Sequence, residues 1–139
     1  MKKCLVSSCL VGLCTRYDGK SKPDKRCLKY LDDLNGLKRY IYIPVCPEQL
    51  GGLPTPRPAA DVIGGNGMDV LTGLLSVMTT EGHNVTKEFI AGAEAVLKIA
   101  QDQNIRLALL KAQSPSCGVT KLGVTAALLE SNGIKLFEF

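Results

Sequence analysis

No two of the six cysteines stand in a Cys-x-x-Cys spacing, which argues against a zinc ribbon and against a thioredoxin-type redox pair. A single histidine, His83, is present. It falls beside the turn residue Gly82 and reads as a surface side chain rather than a catalytic one. No apolar run approaches the roughly 18 residues that span a membrane. The first residues, Met1-Lys2-Lys3, carry a signal-like charge, but Ser7 and Ser8 interrupt the apolar stretch almost at once. They read as a strand, so the expected location is cytoplasmic. With no export signal, a disulfide framework is not expected either. Basic residues are in slight excess, a formal net charge of +4, and are scattered, many of them between Lys20 and Arg39. That is too mild and too dispersed for a nucleic-acid partner, and no membrane partner is expected. Gly64-Gly65-Asn66-Gly67 does not follow a strand and open into a helix. It is a weak phosphate loop and reads better as a hairpin or lid hinge.

What is present is a chain of 139 residues, 45% apolar and 22% charged, the size and balance of one globular domain over residues 1–139. Three of its apolar runs end in the same way. Leu107–Leu110 gives way to Lys111-Ala-Gln-Ser114-Pro-Ser116-Cys117-Gly118. Cys4-Leu-Val ends in Ser7-Ser8-Cys9, and Tyr40–Val45 ends in Cys46-Pro47-Glu48. Each reads as a buried strand that delivers a thiol, with hydroxyls or a carboxylate, to the edge of a sheet. Cys4 and Cys27 read as small buried hydrophobes; Cys14 lies in a loop.

Taken in order, Lys3–Ser8 is the first strand. The loop Leu10–Lys20 follows, and its Arg16, Tyr17 and Asp18 are candidate pocket-lining groups. Ser21 is read as the cap of a helix running to about Leu34 and stopped by Asn35-Gly36. The second strand is Tyr40–Val45. Gly51–Pro58 carries three prolines and no helix or strand period; it reads as a rigid wall or lid, with Arg57 as a candidate anion contact. Asp69–Met78 reads as one short extended piece. Thr86 is read as the cap of an amphipathic helix whose Phe89, Ile90, Ala93, Val96, Leu97 and Ala100 recur at helical spacing. A strand over Arg106–Leu110, a helix over Thr125–Ser131 and a strand over Ile134–Phe137 complete the chain.

The order β-α-β, long insertion, α-β-α-β, with nearly continuous apolar strands, predicts an α/β fold. It is a small three-layer parallel sheet of about four strands, Rossmann- or flavodoxin-like, with a Gly/Pro-rich insertion after the second strand. In such sheets ligands bind outside the carboxyl ends of the strands, the edge to which Cys9, Cys46 and Cys117 are all assigned. Three convergent thiolates fit zinc completed by a fourth ligand or water, or an iron–sulfur cluster, for which Cys-Pro is a recurrent feature. Three reduced cysteines without a metal is the remaining reading, and spacing alone leaves zinc and iron–sulfur open.

Several blocks resemble the DUF523 family: Ser7-Ser-Cys9-Leu-Val-Gly, Arg16-Tyr-Asp-Gly19, Val45-Cys-Pro-Glu48 with Leu50–Pro58, Lys111–Gly118, Phe89-Ile-Ala-Gly-Ala-Glu94 and Gly123–Leu129. The resemblance spans essentially the whole chain. The family includes thiouracil desulfidases that use a [4Fe-4S] cluster to remove sulfur from thiolated pyrimidines. It implies that Cys9, Cys46 and Cys117 carry the cluster and that the fourth iron takes the substrate's sulfur. On that basis Glu48 is the expected general base, with Ser114 as a second catalytic group. Ser8, Arg16, Lys111 and Ser116 are expected at the substrate, a thiolated nucleobase or nucleoside. The rival function is a non-catalytic metal-binding or small-ligand-binding module. The chain departs from the family in one place: only Val119–Leu122 stands where the family carries a longer glycine-rich loop.

Overall fold

A parallel sheet built around the first strand organises the molecule. The structure, a computed structural model, describes residues 2–38 and 40–139; Met1 and Arg39, at the ends of two stretches discussed above, lie outside it. Strand β1 (Lys2–Ser7) runs into a single 3-10 turn (Ser8–Val11), followed by helix α1 (Lys25–Lys38), strand β2 (Tyr40–Val45) and the one-turn helix α2 (Pro47–Leu50). The insertion holds β3 (Ala60–Val62), α3 (Gly67–Leu71) and β4 (Val77–Thr79). Then come α4 (Thr86–Asp102), β5 (Leu107–Leu110), α5 (Val124–Ser131) and β6 (Lys135–Glu138). The four-stranded sheet has the order β2-β1-β5-β6, and its neighbours pair in parallel. The expected α/β architecture is therefore the observed one, with β3 and β4 forming a separate antiparallel hairpin in the insertion.

Alternation along the strands makes the three layers. Leu5, Val45, Ala108 and Leu110 face Val96, Ala100, Ala126 and Leu129 of α4 and α5. Their neighbours Cys4, Val6, Leu107 and Leu109 pack with Cys27 and Leu31 of α1 on the opposite face. Successive side chains of a strand point to opposite sides, so unbroken apolar runs are what two covered faces require. A third cluster joins Val62, Val70 and Val77 of the insertion to Phe89 and Ala93 of α4 and Val124 of α5. Helix α4 thus holds the sheet with its C-terminal half and the insertion with its N-terminal half. Among the described residues, no helix is long and apolar enough to cross a membrane.

Four local expectations are corrected. Helix α1 is capped by Asp24 rather than Ser21: Asp24 Oδ1 accepts from the backbone N–H of Arg26 at 2.9 Å and of Cys27 at 3.0 Å. Nor do Asn35-Gly36 end it, because Gly36 does not take the left-handed conformation of a helix stop. A glycine inside a helix costs only about 1 kcal/mol. Thr86 does not cap α4. Its hydroxyl accepts from Val77 N at 2.9 Å and donates to Asn84 Oδ1 at 2.6 Å, tying the helix start to β4. Asp69–Met78 is not one extended piece. Asn66 Oδ1 accepts from Met68 N and Asp69 Oδ2 accepts from Asn66 N, a reciprocal cap that starts α3 where the glycine-rich stretch had suggested a hinge or hairpin.

The element that follows Cys46 is fixed by backbone contacts too close for a side chain. A Cβ at Gly92 of α4 would stand 1.9 Å from the carbonyl oxygen of Pro47, and one at Gly51 would stand 1.9 Å from that of Glu88. Helix α2 therefore lies directly on the backbone of α4. We expect Gly92→Ala to destabilise the protein by about 1–3 kcal/mol, read as a lower urea midpoint with an unchanged slope. A midpoint equal to the parent's would show that the two backbones can separate at no cost.

Candidate active site

A cavity of about 900 Å³ opens at the carboxyl ends of β1, β2 and β5, walled on its far side by the proline-rich segment and the β3–β4 hairpin. The strand register sets its position. Ser7 pairs with Val45 across β1 and β2, and Val6 pairs with Leu109 across β1 and β5. The chain consequently leaves all three strands at one edge. Cys9 enters from the 3-10 turn after β1, Cys46 as the residue preceding α2, and Cys117 from the turn after β5; all three line the cavity. Cys9 and Cys117 are buried and Cys46 is half-buried.

These thiols feel one another. Burial pushes the Cys117 thiol far above its ordinary range. A hydrogen bond from Ser7 opposes the rise, while Glu48, Cys46 and Cys9 add to it. Burial also raises Cys9; Lys111 and Arg16 pull it back, and Cys46 raises it further. Protonated, buried thiols are poor nucleophiles, but they become a natural donor set for a cationic centre that displaces their protons. Among the described residues, no three His, Cys, Asp or Glu side chains are close enough to share one metal ion. A multinuclear cluster needs no such approach, because each thiolate binds a separate iron. The donor set therefore fits an iron–sulfur cluster better than mononuclear zinc.

The remaining predicted residues divide between the cavity wall and its support. Glu48, in the first turn of α2, lines the cavity and forms an ion pair with Arg57. Ser8 lines it with its hydroxyl 2.6 Å from that of Thr15. Arg16 lines it while facing Asp18 at 3.8 Å and stacking over Tyr17. Lys111 lines it as well; its Nζ donates to Ala112 O at 2.9 Å and its backbone N–H to Ser7 Oγ at 2.9 Å. Ser114 reaches the wall, and its Oγ accepts from Ser116 N at 3.2 Å and Cys117 N at 3.0 Å, so it also shapes the turn that presents Cys117.

Ser116 is the exception. It does not line the cavity: it is 1% exposed, and its hydroxyl lies 3.1 Å from Thr125 Oγ1. Its carbonyl accepts from Thr125 N and Ala126 N, which turns it away from the cavity toward α5. His83 is exposed at the cavity rim.

Two residues of the site lie outside the predicted set. Ser7 belongs to the predicted first strand, yet its hydroxyl accepts from Lys111 N at 2.9 Å and opposes the effect of burial on the Cys117 thiol. Arg57, considered in the sequence only as an anion contact, is buried. The prolines on either side of it were the available signal, since they fix the segment that aims it inward. The segment Val119–Leu122 is held in turn by β6. Val119 N and Thr120 N donate to Glu138 Oε1 at 2.8 and 3.0 Å, and Thr120 Oγ1 donates to Oε2 at 2.6 Å.

The chain is similar to known proteins over nearly its whole length. A family model described as 2-thiouracil desulfurase matches residues 4–138. The uncharacterized protein YbbK of Bacillus subtilis (strain 168) is 38% identical over 145 aligned residues, which cover 95% of this chain and 92% of that protein. The solved structure of the [4Fe-4S]-dependent thiouracil desulfidase TudS (DUF523Vcz) superposes with a TM-score of 0.82 at 40% identity, covering 99% of this chain and 91% of that one. With a family model spanning nearly every residue and both relatives aligned almost end to end, this chain belongs to the 2-thiouracil desulfurase family, DUF523.

Proposed function

We propose that the protein is a [4Fe-4S]-dependent desulfidase that replaces the C=S group of a thiolated pyrimidine base or nucleoside by C=O and releases sulfide. The observation that carries this reading is the set of three thiols, from three strand exits, on one cavity wall beside the Glu48 carboxylate. Cys9, Cys46 and Cys117 would hold the cluster. When bound, it supplies an iron without a protein ligand, a Lewis acid that polarises the C–S bond and accepts the sulfur. The exchange consumes one water and moves no net electrons: the carbon gains oxygen, and the sulfur leaves with the two protons of that water.

The chain's own side chains supply the proton traffic. Glu48 takes a proton from the attacking water and returns it to the departing sulfur. Lys111 and Arg16, both on the wall, place positive charge beside an anionic, thiolate-rich centre. Ser8 and Ser114 offer hydroxyls to the heterocycle's polar edge. Ser114 also holds the Cys117 turn through two backbone N–H groups. The apolar wall, including Val45, Leu53 and Phe89, excludes bulk water from the reacting carbon.

Three experiments test this. Protein reconstituted anaerobically is expected to take up about four irons per chain and to absorb broadly in the visible, while Cys46→Ser loses iron and activity together. Stoichiometric zinc with no iron uptake would rule the cluster out. Incubation of the loaded protein with thiouracil and related thiopyrimidines is expected to release sulfide; silence across that panel would instead identify a binding module. Glu48→Gln retains the size and most of the hydrogen bonding of the side chain but removes the base. It is expected to slow turnover by about a hundred- to ten-thousand-fold with iron content unchanged. Turnover at the parent rate with a full complement of iron would exclude Glu48 as the base.

A further inference from the structure

Arg57 is a charged group of the cavity wall that this chemistry leaves without a role, and unlike Asp61 and Lys121 its side chain is buried. Its side chain is 5% exposed, against 13% for its partner Glu48. The guanidinium touches several segments at once. Nη1 donates to Thr55 Oγ1 at 3.0 Å and to Pro54 O at 3.3 Å. Nη2 donates to Thr15 O at 3.0 Å, lies 3.9 Å from Cys46 Sγ and pairs with Glu48 Oε2. Thr15 belongs to the loop after Cys9, whereas Pro54 and Thr55 belong to the proline-rich wall. A single planar fork thus joins the first loop, the second cysteine, the carboxylate and the wall. Such a pattern needs arginine, because a lysine ammonium is a point charge that cannot span acceptors set this far apart. Among the described residues, Oε2 of Glu48 has Arg57 as its partner, and no hydrogen bond engages Oε1.

We propose that Arg57 is a positioning residue for Glu48. By holding Oε2 it fixes the carboxylate's orientation and leaves Oε1 for the water and the transferred proton. By bonding to Thr15 O beside Cys46 Sγ, it keeps that carboxylate in register with the thiol-bearing wall. The proposal rests on the assignment of Glu48 as the acid–base group. It differs from that assignment in concerning geometry rather than proton transfer.

The contact is tested in the metal-free protein by thermal unfolding of Arg57→Gln, Glu48→Gln and the double variant. Removing one partner of a buried pair strands the other's charge. Arg57→Gln is therefore expected to lower the Tm by roughly 10 °C, and adding Glu48→Gln to recover part of that loss. Strictly additive shifts would overturn the coupling. The positioning role is tested in the iron-loaded enzyme with Arg57→Lys. We expect kcat to fall about ten- to hundredfold with KM within about twofold, and no further fall when the same change is made in Glu48→Gln. Parent-rate turnover, or an undiminished effect in the Glu48→Gln background, would overturn it.

Thr55→Val guards against poor folding of the arginine variants, since it removes one acceptor of the fork and keeps the charge. Its expected loss is about threefold in kcat in the parent and none in Glu48→Gln; an equal loss in both would overturn the role. If Glu48→Gln itself turns over at the parent rate while the pair still couples in metal-free unfolding, the assignment of Glu48 as the base fails and the Arg57 contact stands.

Discussion

Parallel pairing of β1 with β2 on one side and β5 on the other is the constraint on which the site depends. Parallel strands all end at the same edge, so residues more than a hundred positions apart in the chain leave the sheet side by side. The register allows little play, because a one-residue slip would turn each buried run to the opposite face. Here both faces are covered, by α4 and α5 on one side and α1 on the other. The positions of Cys9, Cys46 and Cys117 are thereby set by core packing, before any ligand is considered.

That placement has an electrostatic consequence. Two of the three thiols are buried, and burial disfavours their thiolates. Desolvation is the leading influence on both, with the neighbouring sulfurs adding to it. Lys111 and Arg16 offset part of it at Cys9, and a hydroxyl, Ser7, does so at Cys117. A site of this kind is poorly suited to acting through a free thiolate and well suited to giving up protons to a metal centre. The same balance explains why the one buried arginine of the wall sits among a carboxylate, a sulfur and two backbone carbonyls. Each of these contacts offsets the cost of removing its charge from water.

The insertion completes the cavity by close backbone packing rather than by a large core of its own. Gly67 stands so near Gly123 that an added Cβ would come within 2.2 Å of its carbonyl. Gly51 and Gly92 play the same part between α2 and α4. These contacts carry the second wall onto the sheet at a distance that side chains would prevent. They also explain why a glycine-rich stretch that suggests mobility in the sequence lies instead in a capped, packed helix start.

The sequence by itself determined the sheet and the three thiols. Unbroken apolar runs such as Leu107–Leu110 require two covered faces, and a run that ends in Ser, Pro and Cys marks a strand exit whatever surrounds it. Helix α4 was equally legible, since its apolar positions recur at a period that local geometry alone imposes. Only the tertiary structure decided which hydroxyls meet the cavity. Ser114 and Ser116 are two residues apart in one turn, and it is packing against Thr125 of α5 that withdraws the second. It also decided the partner of Glu48. Arg57 lies nine residues further on, through a proline-rich segment with no period from which a direction could be read, and its inward course depends on contacts with Thr15 and Tyr17 in a distant loop. Periodicity is a property of neighbours along the chain; pairing across a cavity depends on how separate segments are brought together.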